Sequence, residues 1–305
     1  MPQHELIRRI QKRLYDQDKP HPPEETALRI RGLEAERGSY ALNSQPREKK
    51  ITVSLTSFPP RYEGLHTVIK SLLTQTVRPD RIALYYDETD AEVPFPDTLT
   101  ELSAYGVEFC RRDTPDGCKP LRPHKKYLYA MQEHPDDLII TVDDDSIYPP
   151  DLIEKLTAAH KRHPRCVVAA RAHLMRFENG RIAPYDSFGW CLTKEDAPSM
   201  RYIPTGVGGV LYPPECMDSR LFDTALICKL CPDADDLWLK TMQVLAGTKV
   251  TVCDRSVAKR ILPVPDSQTE SLNSQNVLAH RNDEYLSALC RAFSLTEADF
   301  TGDGA

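Results

Sequence analysis

Residues 138–156 read LIITVDDDSIYPPDLIEKL, so Asp143, Asp144 and Asp145 follow directly on an apolar, β-branched run. Adjacent carboxylates repel one another, and a carboxylate taken out of water without a partner is costly. A hard divalent cation answers the difficulty. Mg2+ or Mn2+ is held by one or two carboxylates, keeps open positions for substrate phosphates, and supplies the missing positive charge. The other reading is a solvated acidic loop, but this run is fixed between a strand-like segment and a proline-initiated helix.

A second acidic group, Asp233, Asp235 and Asp236 in CPDADDLWLK, opens an apolar helical stretch. It follows TGVGGVLYPP, whose Gly206, Gly208 and Gly209 let backbone approach a ligand closely. Acids at a helix start also complement the helix dipole, so chemistry and capping both remain open for this group. Cys228 and Cys231 form one CxxC with no second pair nearby, which leaves a zinc or redox role possible in principle and a structural role simpler.

The elements that must position these residues come from hydrophobic periodicity. Strands are expected at 51–55, 81–87, 107–109, 138–142 and 166–171, separated by helices at 62–75, 97–105, 123–133 and 150–163. This alternation predicts an α/β fold with a mostly parallel sheet covered on both faces. Ligands of such sheets bind beyond the carboxyl ends of the strands. Asp87 and Asp143 to Asp145 fall on that one edge. Residues 181–212 give only short strand-like pieces, and a helix at 234–245, a strand at 249–253 and a helix at 283–293 follow.

Upstream, residues 4–17 form an amphipathic pattern with Arg8, Arg9, Lys12 and Arg13 on the polar face, and a second helix is expected at 24–37. Residues 1–48 are therefore expected to be an N-terminal helical extension and linker, and residues 49–305 the main domain. The basic helix suits packing on its own domain, pairing with a second copy in a homo-oligomer, or peripheral contact with an anionic membrane surface.

The 305 residues are 40% hydrophobic and 28% charged, the balance of a soluble globular chain. A net charge of −6 argues against a nucleic-acid binder. No run approaches the ~18 apolar residues of a membrane span, and the N-terminus lacks the apolar core of a signal peptide. Nine cysteines, odd in number and scattered, suit a reducing compartment. A cytoplasmic location, with peripheral contact at the inner membrane face, is the expectation.

ITVSLTSF at 51–58, a second strand ending in Asp87, and TVDDDSIYPPDLIEKL together resemble the family 2 glycosyltransferases of the GT-A fold, over residues 50–290. The resemblance implies a GT-A sheet with a Rossmann-like nucleotide half. It also implies an inverting, metal-dependent transfer from a nucleoside-diphosphate sugar, UDP-sugar favoured, to a hydroxyl of a glycan or glycolipid acceptor in surface-polysaccharide or glycoconjugate synthesis. Mn2+ or Mg2+ would be the cofactor. Asp143 would contact ribose or metal, Asp145 would be the main metal ligand, and Asp144 would lie near the donor sugar. Thr56, Ser57 and Arg61 would line the nucleotide, with Asp87 on its base or ribose.

The resemblance also places a basic residue against the nucleotide phosphates, and Lys126, beside Lys125, is the candidate; a solvated helix-face lysine is the other reading. Asp236, with Asp235 next, would take the proton from the acceptor hydroxyl. His280 in LAHRNDEYL would be a late metal ligand or a structural histidine. Trp190 and Trp238 would stack on sugar rings or serve the core. The sequence departs from the family at YYDETD, where an acidic–glycine–serine turn is usual, and at KTMQVLAG, where processive synthases carry QxxRW. The second departure implies transfer of a single sugar. A nucleotidyltransferase is the first rival, but TSFPPRYEG has one glycine where that class has a glycine-rich basic loop. The second is a non-catalytic nucleotide- or glycan-binding scaffold, which would not need both acidic groups.

Overall fold

The computed structural model describes residues 21–114, 121–190, 197–265, 267 and 281–302, with the side chain of Trp190 excepted. The helix expected at 4–17 and His280 lie outside the described residues.

Seven strands form the central sheet: Ile51–Thr56 (β1), Arg81–Tyr86 (β2), Val107–Arg111 (β3), Leu138–Thr141 (β4), Val167–Ala169 (β5), Val210–Tyr212 (β6) and Val250–Val252 (β7). Their order is β7-β5-β6-β4-β1-β2-β3. Every pairing is parallel except those of β6, which runs antiparallel to β4 on one side and β5 on the other. Strands buried on both faces need continuous apolar or β-branched runs, and ITVSL and LIIT are such runs, with every residue buried.

The helices divide between the two faces. Tyr62–Leu73 and Leu152–Arg162 cover one, packing Leu65, Ile69, Leu72, Leu152 and Leu156 against Val53, Leu55 and Ile140. Lys125–Glu133 (α1), Asp235–Leu245 (α2) and Arg281–Phe293 (α3) cover the other, through Tyr127, Leu128, Trp238, Leu239, Leu286 and Leu289. Each such aliphatic side chain contributes about 1.5–3 kcal/mol when fully buried. The upstream helix Pro23–Ala35 sets Leu33 into the first of these cores, and the Tyr40 hydroxyl donates to Leu33 O at 2.6 Å.

The expected alternation is present, with two differences. The stretch expected as one helix at 97–105 is a short α-helix, Asp97–Thr100, followed by a 3-10 segment, Glu101–Tyr105, which Gly106 ends at φ 85°. The strand β6 was hidden in the segment that periodicity left as short pieces. Three residues between Gly209 and Pro213 are too few to show a period, and no local pattern reports strand direction. Because β6 is antiparallel, its preceding loop, Gly206 to Gly209, arrives at the edge where β1, β2 and β4 end. That reversal brings the two acidic groups together.

Trp238 is fully buried and its Nε1 donates to Leu221 O at 3.1 Å, so it serves the core. Cys231 is buried, its thiol donates to Ala234 O, and the described cysteines are free thiols. Among the described residues no group of three His, Cys, Asp or Glu is placed to hold a metal, and no helix is long and apolar enough to cross a membrane.

Candidate active site

The site is built around the start of α1, which Ser54 of β1 fixes by donating from Oγ to Lys126 O. Lys125 and Lys126 are 3% and 5% exposed, so neither is a solvated helix-face lysine. Lys125 reaches one way, to Asp87 Oδ2 at 3.1 Å and to Asp90. The Asp90 N–H also donates to Asp87 Oδ1 at 3.0 Å, and Asp87 is 1% exposed. The acid expected to face a nucleotide base or ribose is thus held within a buried ion pair. Sequence alone assigned Lys125 no role of its own beside Lys126. The i,i+3 acids of DETD were the only signal, a weak one, since the lysine pair lies 35 residues further on.

Lys126 reaches the other way. Its Nζ lies 2.6 Å from Asp143 Oδ1 and 3.0 Å from Asp235 Oδ2, so one ammonium joins the two acidic groups. Asp143 is further fixed by its N–H, which donates to the Tyr148 hydroxyl at 2.8 Å; that hydroxyl in turn donates to Val207 O at 3.4 Å. Tyr148 thereby links the aspartate loop to the glycine loop, a role the sequence did not announce.

The other two aspartates turn toward the loop after β1. Ser57 Oγ donates to Asp144 Oδ2 at 2.6 Å, and Arg61 pairs with the other oxygen of Asp144. The Arg61 Nη1 also lies 3.2 Å from Asp145 Oδ2, and Ser146 Oγ donates to Asp145 Oδ1 at 3.3 Å. Thr56 Oγ1 donates to Tyr85 O at 2.8 Å, a tie between β1 and β2. Burial, then the charges of Asp143 and Asp144, push the Asp145 carboxyl up to about 6.

At the start of α2, the Gly206 N–H donates to both oxygens of Asp236, at 3.1 and 3.3 Å. Burial, then the neighbouring Asp235 charge, push the Asp236 carboxyl up to about 8. Asp235 goes the other way: burial opposes its ionisation, but Lys126 and then His124 outweigh it and hold it below the usual range. The physical reason is stoichiometric. One ammonium serves three carboxyl groups, and the carboxyl farthest from its direct contacts keeps the proton.

Gly206 is where side-chain absence matters. A Cβ there would stand 2.9 Å from Lys126 Nζ and 3.0 Å from Asp143 Oδ1. The lysine end is flexible by nature, but two carboxylates pin it, so a methyl group would push the ammonium off Asp143. Gly206→Ala is expected to fold with a small loss of stability and to lower kcat/KM by about 10–100-fold, the cost of misplacing a reacting group by a fraction of an ångström to an ångström. Steady-state kinetics beside a melting curve separate the two; unchanged kinetics would show that this contact does not matter to the reaction.

No protein-family model matches the chain, and no curated protein matches it in sequence. Among solved structures it is similar to S. aureus TarS residues 1–349 in complex with UDP, at 15% identity and a TM-score of 0.42, over 67% of this chain and 57% of that one. The same TarS fragment without the UDP complex gives 16% identity and 0.41, over 81% and 74%. Glucosyl-3-phosphoglycerate synthase from Mycobacterium tuberculosis, in complex with Mn2+, UDP and phosphoglyceric acid, gives 18% and 0.31, over 46% of each chain. The chain thus spans 57% of the length of the first of these. Its α/β class rests on its own strand pairing, which is the mostly parallel, helix-flanked sheet expected of a GT-A-type fold.

The structure brings together Ser57, Arg61, Lys126, Asp143, Asp144, Asp145, Asp235 and Asp236, and sets Asp87 beside them in its own ion pair with Lys125.

Proposed function

We propose that the chain transfers a sugar from a nucleoside-diphosphate sugar, with UDP favoured, to a hydroxyl of a glycan or glycolipid. The observation that carries this reading is the Lys126 ammonium, which joins Asp143 after β4 to Asp235 at the start of α2. A donor-binding acid and an acceptor-facing acid at one sheet edge are what a displacement between two substrates needs.

The fit of a divalent cation can be judged from the acids themselves. Asp143 and Asp145 stand on one loop after β4, two carboxylates already drawing cationic side chains, and their oxygens are hard donors that suit Mg2+ or Mn2+, which one or two carboxylates hold while substrate phosphates fill the remaining positions. Asp143 and Asp145 would hold the ion, and it would neutralise the diphosphate leaving group when bound. Ser57 and Arg61, on the loop after β1, would line the nucleotide. Asp236 takes the acceptor proton on its carboxylate, with the Gly206 N–H fixing the carboxylate's direction. Attack from the face opposite the leaving group inverts the anomeric carbon in one step.

Melting temperatures with UDP, GDP, CDP and CMP, each with Mn2+ and then with excess EDTA, test the reading. A ligand at a hundred times its Kd adds about 2.7 kcal/mol, or roughly 5–10 °C for a protein of this size. One nucleoside diphosphate is expected to give that shift, and EDTA to remove most of it. No shift with any of the four would overturn the donor assignment, and a shift indifferent to EDTA would overturn the metal requirement.

A further inference from the structure

We propose that Arg61 competes with a divalent cation for Asp145: its Nη1 lies between Asp144 and Asp145, and it yields Asp145 to the ion while turning the N–H so released to the donor diphosphate. This inference rests on the metal reading above and goes beyond it, because it makes ion binding and donor binding mutually dependent through one side chain.

The geometry is unequal in the way such an exchange needs. Asp144 is anchored on both oxygens, by Ser57 Oγ at 2.6 Å and by Arg61. Its side chain is 7% exposed. Asp145 is 16% exposed, its contact with Arg61 is the longer one at 3.2 Å, and its carboxylate otherwise accepts from the neighbouring Ser146 at 3.3 Å. The contact with Asp145 is therefore the one that can open. Arg61 itself is carried on a stiff support. Pro59 and Pro60 fix the backbone of the 3-10 turn Pro59–Arg61, and the guanidinium lies 5.3 Å from the centre of the Phe58 ring. Such a base lets the fork pivot between partners without moving the loop.

The charges favour the exchange only when ion and nucleotide arrive together. A divalent ion alone must displace a guanidinium from Asp145 and leave it beside the ion, where like charges repel. With a diphosphate present, the N–H that leaves Asp145 gains a charged acceptor in its place. Ion and nucleotide should therefore bind weakly alone and strongly together, and by linkage each raises the other's affinity by the same factor.

The test measures Mn2+ binding by the electron paramagnetic resonance signal of the free ion, with and without UDP, for the wild type, Arg61→Gln, Arg61→Lys and Asp145→Asn. Arg61→Gln is expected to bind Mn2+ alone about tenfold more tightly than the wild type, because one competing positive charge has gone. The enhancement of Mn2+ affinity by UDP is expected to shrink at the same time. Arg61→Lys, whose ammonium serves one carboxylate at a time, is expected to bind Mn2+ alone about threefold more tightly, and it covers the case in which the neutral variant fails to fold. Asp145→Asn is expected to bind no Mn2+. If the wild type binds Mn2+ and the folded Arg61 variants bind it no more tightly, the role of Arg61 is overturned and the metal site stands. If none of the proteins binds Mn2+ even with UDP, the metal reading fails and this inference falls with it.

Discussion

Asp236→Asn is expected to lower kcat by about a thousandfold, within the range that a lost general base produces, and to make the protein more stable. Asparagine keeps an oxygen for the Gly206 N–H and removes the charge that the site resists. The sign follows from linkage. The folded carboxyl titrates near 8, far above its unfolded value, so the stability it allows is fully present below about pH 4 and is lost as pH rises through 8. The variant escapes that loss. Its advantage should be on the order of 2 kcal/mol at pH 8, because Asp236 is half-buried and solvent screens part of the penalty. That corresponds to a melting temperature about 4–8 °C higher. The gap should narrow at pH 5 and close near pH 4. For the wild type, kcat/KM should climb with pH through about 8, since a base acts only when ionised. A variant that keeps a tenth of the activity, or melts lower at pH 8, would remove Asp236 from the role of base.

Lys126→Met is the second large effect. The ammonium is buried with Asp143 and Asp235 in direct contact and Asp236 close by, and these charges outweigh burial and raise its affinity for the proton well above the ordinary. A folded lysine so raised contributes stability that is fully present at neutral pH and is lost only above the unfolded lysine range. Removing one partner of a buried ion pair while leaving the other costs about 3–5 kcal/mol. The expected melting temperature is therefore roughly 6–20 °C lower, with activity lost. The double variant Lys126→Met/Asp235→Asn should recover part of the stability, because the uncompensated charge has gone with its partner. Calorimetry at pH 7 checks both. Equal melting of wild type and single variant would show that the three carboxyl groups find their counter-charge elsewhere.

Much of this arrangement could be read from the chain. Runs such as ITVSL and LIIT are too rich in β-branched residues, and too sharply bounded, to be other than buried strands. The acids that follow them could then be placed on one edge by sheet geometry alone. Pairings within the edge were not legible. Lys125 and Lys126 are neighbours in sequence, yet α1 points them about 100° apart, and only the positions of β2, β4 and α2 decide which acids each one meets. Arg61 was legible as a residue of the nucleotide loop but not as the partner of Asp144 and Asp145, since that contact joins positions more than eighty residues apart. The antiparallel β6 was hidden for want of length. His280, and with it the proposed late metal ligand, lies outside the described residues.

The position of β6 has a consequence for how the chain is made. An interior strand of the sheet, β6, is the sixth of seven to be synthesised. Until residues 210–212 leave the ribosome, the outer edge of β4 has no neighbour, and β5 has no place in the sheet at all. A nascent chain ending short of that point displays an apolar, hydrogen-bond-hungry edge, the kind of surface that invites pairing with other chains. Production of this protein should thus be governed less by the strength of its finished core than by how long translation keeps that gap open.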